Sequence, residues 1–200
     1  MRRGVDAAVA GTLLVLLSPL FLLVAAGIRT VMGSPVLFRQ LRVGLEGREF
    51  TILKFRTMRP PRFADEPDAD RIPLLGRALR GVSLDELPQL VNVLTGEMGI
   101  VGPRPTLPEQ VAHYTPRQHG RHAVRPGITG WAQVNGRNSL SWPERIELDL
   151  WYIEHRSLLL DLRVIGRTVL RLVRPSGLYG EGGVNQGFPA PPADGVTKES

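Results

Sequence analysis

Cysteine is absent from the 200 residues. No disulfide and no thiolate metal site can therefore form, which fits a cytoplasmic-facing chain. Lysine is nearly absent: of 25 Lys and Arg residues only Lys54 and Lys198 are lysines, leaving 23 arginines. Arginine presents a planar fork that matches phosphate oxygens, so the bias favours phosphate partners over merely soluble surface charge. Aromatic residues are only 6%, the arginines are dispersed and no nucleic-acid motif occurs. A basic nucleic-acid-binding protein is the weakest reading on those grounds. There is no Walker-type glycine loop and no internal repeat. His113, His119, His122 and His155 lie scattered without metal-ligand spacing and read as surface or core residues. The net charge of +6 suits an anionic membrane surface or an acidic substrate.

Charge is also missing from one long stretch. Between Val5 and Ile28 the only ionisable residue is Asp6, near the start. A cleaved signal peptide fits poorly, because the apolar run is too long and lacks a clear small-residue cleavage site. About 20 apolar residues suffice to span a bilayer. Ser18-Pro19 interrupts the run at its middle, where proline removes a hydrogen bond and bends the helix. Arg2 and Arg3 precede the run, and Arg29, Arg39 and Arg42 follow it. Positive charge on both flanks places both ends on the cytoplasmic side. Composition alone leaves a single crossing and a helix-break-helix that dips in and returns equally open.

Past Gly33, PVLFRQ and REFTILKFRTM are rich in β-branched and aromatic residues, with GLEGR between them. They predict a short β-hairpin. Lys54 and Arg56 are two apart and share a face of its second strand, either a solvated face or a ligand-facing one. Arg59 to Asp70 is proline-rich and acidic and predicts a mobile surface loop. Leu74 to Arg80 forms a short helix that delivers Arg80 to the next segment.

That segment, Arg80 to Pro105, carries the chemistry. It reads RGVSLDELPQLVNVLTGEMGIVGPRP, with adjacent carboxylates at Asp85 and Glu86 and with Arg104 held between two prolines. Carboxylates beside guanidiniums that grip phosphate are a phosphoryl-transfer arrangement. Ser83 to Glu86 also spells a capping box, in which Ser83 caps a helix and Glu86 reaches back. Pro88 opposes that version, because it fits better at a first helical position, with the helix running to Leu94 and stopped by Gly96. Either geometry leaves Asp85 and Glu86 near a positive helix end.

Downstream, Leu107 to Tyr114 reads as a helix. Val124 to Asn138 packs Gly127, Gly130, Gly136 and Pro126 between Arg125 and Arg137. It is either a loop approaching a ligand closely or a buried structural loop with Trp131 in the core. Trp142 to Val173 is mostly helical, capped by Ser141 with Pro143 in its first turn. Its apolar side lies beside a basic one, suited either to a membrane interface or to the domain's own core. From Pro175 onward the composition predicts a disordered tail.

KFRTM, SLDELPQLVNVLTGEM, VGPRP, RPGITGWAQVNGRN and LDLWYIEHRSLLLDL follow in order from Lys54 to Leu162. Together they resemble the bacterial sugar transferases, small monotopic polyprenyl-phosphate phosphoglycosyl transferases, over about residues 1 to 173. The resemblance implies an α+β, mainly helical protein. Residues 1–32 form a re-entrant membrane helix broken at Ser18 and Pro19. Residues 33–174 form the catalytic domain, on the cytoplasmic face of the bacterial inner membrane, and 175–200 the tail.

By the same resemblance a sugar 1-phosphate passes from a UDP-sugar to undecaprenyl phosphate with release of UMP. Asp85 is the nucleophile, Glu86 its partner, and Mg2+ binds at this pair. Arg80 and Arg104 are the first choices for gripping phosphate, with Lys54, Arg56, Arg125 and Arg137 as secondary contacts. The competing reading is a non-catalytic membrane scaffold that keeps the fold, and retention of both acids argues against it.

Overall fold

The computed structural model describes residues 2–136 and 140–173, so Arg137 and the expected tail lie outside the described residues. The chain opens with two helices, α1 (Arg2–Leu16) and α2 (Ser18–Met32), inclined by 63° at the break between them. The cause is local. In an unbroken helix residue 19 would donate to the carbonyl of Val15, and Pro19 has no N–H to give. Ser18 Oγ donates to that carbonyl instead, at 2.8 Å. No single helix among the described residues is long and apolar enough to cross a membrane, but the bent pair together passes that test.

The expected hairpin is present. Strands β1 (Leu37–Val43) and β2 (Glu49–Phe55) pair antiparallel from Leu37 opposite Phe55 to Val43 opposite Glu49. Glu46 and Gly47 turn the chain with positive φ of 56° and 75°. This register puts Phe38, Gln40, Arg42, Phe50, Ile52 and Lys54 on one face. Phe50 and Ile52 on that face are buried against α1 and α4 (Gln89–Thr95).

Asn92 of α4 locks the arrangement: Leu53 N donates to its Oδ1 at 3.1 Å, and its Nδ2 donates to Thr51 O at 2.8 Å. Helix α3 (Leu74–Gly81) packs beside α2, with Leu79 in one cluster with Val24, Ile28 and Phe55 at the end of β2. The preceding loop is tied at its neck rather than loose. Arg59 N donates to Arg71 O at 3.0 Å, Arg71 Nε returns a bond to Arg59 O at 3.1 Å, and Arg59 pairs with Glu66.

A second sheet went unforeseen. Strands β3 (Gly99–Val101) and β4 (Gly127–Thr129) pair in parallel. Each has only three residues, too short for an alternation to register. The glycines here serve backbone packing. A Cβ on Gly127 would lie 2.1 Å from Gly102 N, and one on Gly130 would lie 2.1 Å from Gly102 O. As far as Gly136, where the described residues pause, the segment follows the buried-loop alternative. Trp131 packs at the core edge, stacked on Trp151 at 5.2 Å.

The remainder is helical. The helix expected over Leu107 to Tyr114 is a single turn, α5 (Pro108–Val111), and another one-turn helix, α6 (Pro116–His119), follows it. Then come α7 (Trp131–Asn135), α8 (Trp142–Glu154) and α9 (Leu158–Val173). Ser141 caps α8 in a capping box with Glu144, as expected. Helix α9 is anchored in the core by the fully buried Val164, while Leu158, Leu159, Leu162, Val169 and Leu170 stay exposed.

Candidate active site

Local sequence builds the central turn. After α3 the chain reverses at Ser83, which adopts the left-handed conformation with φ 57°, so the capping-box geometry is not formed. A 3-10 turn over Leu84–Glu86 runs through Pro88 into α4, matching the Pro88 alternative. Leu84 packs into one apolar cluster, with Phe55, Leu79, Val24 and Ile28. Leu87 packs into another, with Phe50, Ile52 and Leu90. Asp85 and Glu86, lying between these two anchors, are left facing Lys54. Gly96 ends α4 at φ 98°. The α4 carbonyls are capped by Arg3, which donates to Val93 O and Leu94 O, each at 2.6 Å.

Glu86 is a junction. Its Oε1 accepts from Lys54 Nζ at 2.7 Å and from Arg104 at 2.8 Å. The Glu86 and Lys54 side chains are 17% and 16% exposed, whereas Arg104 is 48% exposed, so one cation is enclosed and the other faces outward. Burial pushes the Glu86 carboxyl up, but Arg104 and Lys54 outweigh it and hold it well below the usual range. Burial lowers Lys54, against the pull of Glu86.

Asp85 behaves oppositely. Burial, and then the charge of Glu86, push it up to about 6, with Lys54, Arg80 and Arg104 opposing. Among the described residues its carboxylate makes no hydrogen bond and no ion pair. Two adjacent acids are thus driven apart, one permanently ionised and braced, the other unbraced and poorly solvated. A carboxylate so placed can act as a nucleophile.

Of the other residues singled out from sequence, Arg80 lies on the Asp85 side with its Nε donating to Thr57 Oγ1 at 2.8 Å. Arg56 belongs elsewhere. It is 8% exposed and donates to the carbonyls of Met32, Gly33 and Ser34, fastening the end of α2 to β2. Arg125 is likewise engaged away from the pair, its Nε on Gly96 O at 2.8 Å. A fork that matches phosphate also matches backbone carbonyls, and carbonyls are what both engage here.

Arg42 was overlooked. It lies on the Lys54 face and donates to Gln40 Oε1 at 2.6 Å, and burial with Arg104 nearby lowers it to about 10. Drawing the hairpin register from GLEGR would have found it. Arg121 and Asp149, a buried ion pair at 2.6 Å, carried no local signal, being 28 residues apart in the chain.

Two of the four histidines meet in space. His119 and His122 lie 5.9 Å apart, and His122 stacks on Tyr114. His122 is 8% exposed, and burial, then Arg121 and His119, lower it to about 4. Unfolded, it would take a proton near 6.5. From 6.5 down to 4 the unfolded chain therefore binds more protons, and stability falls as pH falls. The expected loss from this group is about 3 kcal/mol. Urea titrations of His122→Phe and wild type should show the stability gap moving by that amount in the variant's favour between pH 7 and pH 4. A gap independent of pH would mean His122 titrates normally when folded.

The geometry sets a pair of adjacent acids beside two cations on an α+β scaffold. The profile of the family described as bacterial sugar transferase matches residues 1–175, and the chain belongs to that family. It is 45% identical over 181 residues to the uncharacterized sugar transferase EpsL of Bacillus subtilis, covering 89% of this chain and 90% of that protein. It is 42% identical over 193 residues to a UDP-glucose:undecaprenyl-phosphate glucose-1-phosphate transferase of Caulobacter vibrioides, covering 89% of this chain and 72% of that one. Another so named, from Xanthomonas campestris, is 44% identical over 176 residues, but the chain spans only 36% of its length.

Proposed function

We propose that this protein transfers a sugar 1-phosphate from a UDP-sugar to undecaprenyl phosphate, releasing UMP, through a covalent phosphosugar on Asp85. The observation that carries this reading is the contrast between the two acids: Glu86 is held by Lys54 and Arg104, while the Asp85 carboxylate is unengaged among the described residues. The names of the Caulobacter and Xanthomonas relatives supply the substrate classes.

In the first displacement an Asp85 oxygen attacks the sugar-bearing phosphorus. The Asp–O–P bond forms, the diphosphate P–O bond breaks, and UMP leaves with the electron pair. In the second an oxygen of undecaprenyl phosphate attacks the same phosphorus and the Asp–O–P bond breaks, restoring the carboxylate. Splitting the exchange in two means that the UDP-sugar and undecaprenyl phosphate need not occupy the site together. Arg104, half exposed, and Arg80 are placed to take phosphate oxygens as charge shifts. Lys54 and Glu86 keep the local charge fixed.

The donor set suits magnesium. Asp85 and the second oxygen of Glu86 are hard ligands, unengaged among the described residues. No third His, Cys, Asp or Glu joins them there. Magnesium commonly binds through one or two carboxylates plus substrate phosphates. When bound, it would neutralise the diphosphate charge. UMP release from a panel of UDP-sugars with undecaprenyl phosphate and Mg2+ tests the reading, and release with none of them would refute it.

The bent pair α1–α2 is proposed to enter and leave the membrane on one side, seating Asp85 at headgroup depth. Two ties support this: Arg3 holds the start of α1 to α4, and Arg56 holds the end of α2 to β2. Val15, Leu16, Leu22 and Leu23, around the bend, are 68–73% exposed. With no native cysteine in the chain, single Gly4→Cys and Arg39→Cys variants carry one thiol each. Both should react with an impermeant maleimide only from the cytoplasmic side. Labelling from opposite sides would establish a spanning helix.

A further inference from the structure

Arg104 stands in an unusual segment, Pro103-Arg104-Pro105-Thr106, where two of four residues lack an N–H. Such a stretch is poor in the amide donors that usually pin a loop. It is pinned by its carbonyls instead. Gly127 N donates to Pro103 O at 2.9 Å, and Val43 N donates to Thr106 O at 2.9 Å. Arg42 donates to Pro105 O at 3.5 Å. The carbonyl of Arg104 itself accepts from Arg121, at 3.2 Å.

Arg121 is 3% exposed at its side chain, and Asp149, which neutralises it, is 2% exposed. Every edge of the guanidinium is used. Nε and one terminal nitrogen donate to Asp149 Oδ2 at 3.0 and 2.6 Å. The other terminal nitrogen donates to Tyr114 Oη and, at 3.4 Å, to Thr106 Oγ1. Tyr114 Oη in turn donates to Thr106 Oγ1 at 3.3 Å. A buried ion pair of this kind is weak evidence for stability, since a well-packed apolar pair often does as well. What an apolar pair cannot do is hold a chosen carbonyl at a chosen place.

We propose that Arg121, braced by Asp149, is a positioning residue for Arg104: it fixes the main chain of Arg104 so that the side chain meets Glu86 and the substrate phosphate. The inference rests on the function proposed above. Arg121 does not touch Glu86 or Asp85 and acts through Arg104 alone. Lysine cannot replace it, because three donors on one nitrogen cannot reproduce five in a planar fork.

The test is a double-mutant cycle with UMP release as readout. Arg121→Lys, and the charge-free pair Arg121→Met/Asp149→Leu, are each made with Arg104 present and with Arg104→Ala. With Arg104 present, kcat should fall at least tenfold while KM for the UDP-sugar changes less than threefold. In the Arg104→Ala background the same changes should cost less than twofold. Equal losses in both backgrounds would overturn the proposal. So would loss of cooperative unfolding in every variant of the pair, because the pair would then serve the fold and not the placement.

Hydrogen exchange supplies a readout that needs no turnover. Exchange at the loop's ties, the amides of Val43 and Gly127 that donate to Thr106 O and Pro103 O, should be at least tenfold faster in Arg121→Lys, with the amides of α4 unchanged. Unchanged exchange at those ties would sink the placement whatever the kinetics. Failure of wild type to release UMP from any UDP-sugar would instead refute the proposed function, leaving the exchange result to judge the placement.

Discussion

Asp85→Asn should abolish UMP release while leaving the protein at least as stable as wild type. The amide is isosteric but not a usable nucleophile, so the rate should drop on the order of 10⁴-fold or more, as when a covalent nucleophile is removed elsewhere. The stability half of the expectation comes from the site. Asp85 makes no hydrogen bond or ion pair among the described residues, so no partner is orphaned by the change. Its ionised form is disfavoured by burial and by the neighbouring Glu86. Removing that charge should raise stability by about 2 kcal/mol at pH 7 in magnesium-free buffer.

The sign follows from the direction of the shift: a carboxyl whose folded pKa is raised destabilises the fold above that pKa and ceases to do so as it protonates below it. Activity and stability would then move in opposite directions, as expected where a site is kept under strain for use. Donor labelled in its sugar and supplied without lipid acceptor should mark wild type at residue 85 and leave the variant unmarked. Full turnover by the Asn variant would remove Asp85 from the chemistry altogether.

Glu86→Gln should be the second most damaging change. One oxygen of Glu86 serves both Lys54 and Arg104. Glutamine keeps an acceptor there but cancels the negative charge, leaving an enclosed ammonium and a guanidinium repelling each other. A fall in kcat of about 10²–10³-fold is expected, the scale seen when one preorganised electrostatic contact is lost. The enclosed part of the pair should cost about 2 kcal/mol of stability, below the value for fully buried pairs because Arg104 is half exposed.

A separate signature lies in pH. Glu86 is the negative neighbour that helps hold Asp85 up to about 6. Without it the acid limb of the rate profile should move to lower pH. Stopped assays across pH 4 to 8 read both effects. A variant within threefold of wild type with an unmoved profile would mean that Glu86 merely fills space.

Much of this site was legible because its signals are local. Two adjacent acids, a proline that excludes one helix start and a glycine that ends the helix all lie within Asp85 to Gly96, and each acts on its own neighbours. The Ser18-Pro19 break is likewise a matter of four residues and one missing N–H. The hairpin followed from alternation and a glycine turn, and its register would have exposed Arg42. The arginines were harder. Guanidinium geometry is indifferent to whether its acceptor is a phosphate, a carboxylate or a carbonyl, so the sequence could rank Arg104 ahead of Arg56 and Arg125 but could not assign any of them a partner. Only packing shows Arg56 on the carbonyls that end α2, Arg125 on the carbonyl of Gly96 and Arg104 facing outward.

By itself the sequence determined the acid pair, the bend near Leu17, the hairpin and the capped start of α8, all properties of short spans whose backbone choices are made by the residues within them. The tertiary structure decided which cations reach the acids, why Asp85 and Glu86 titrate apart, and that Arg121 and Asp149 meet beneath the Arg104 loop. Those outcomes depend on burial and on distances between residues far apart in the chain, and electrostatic strength is set by both.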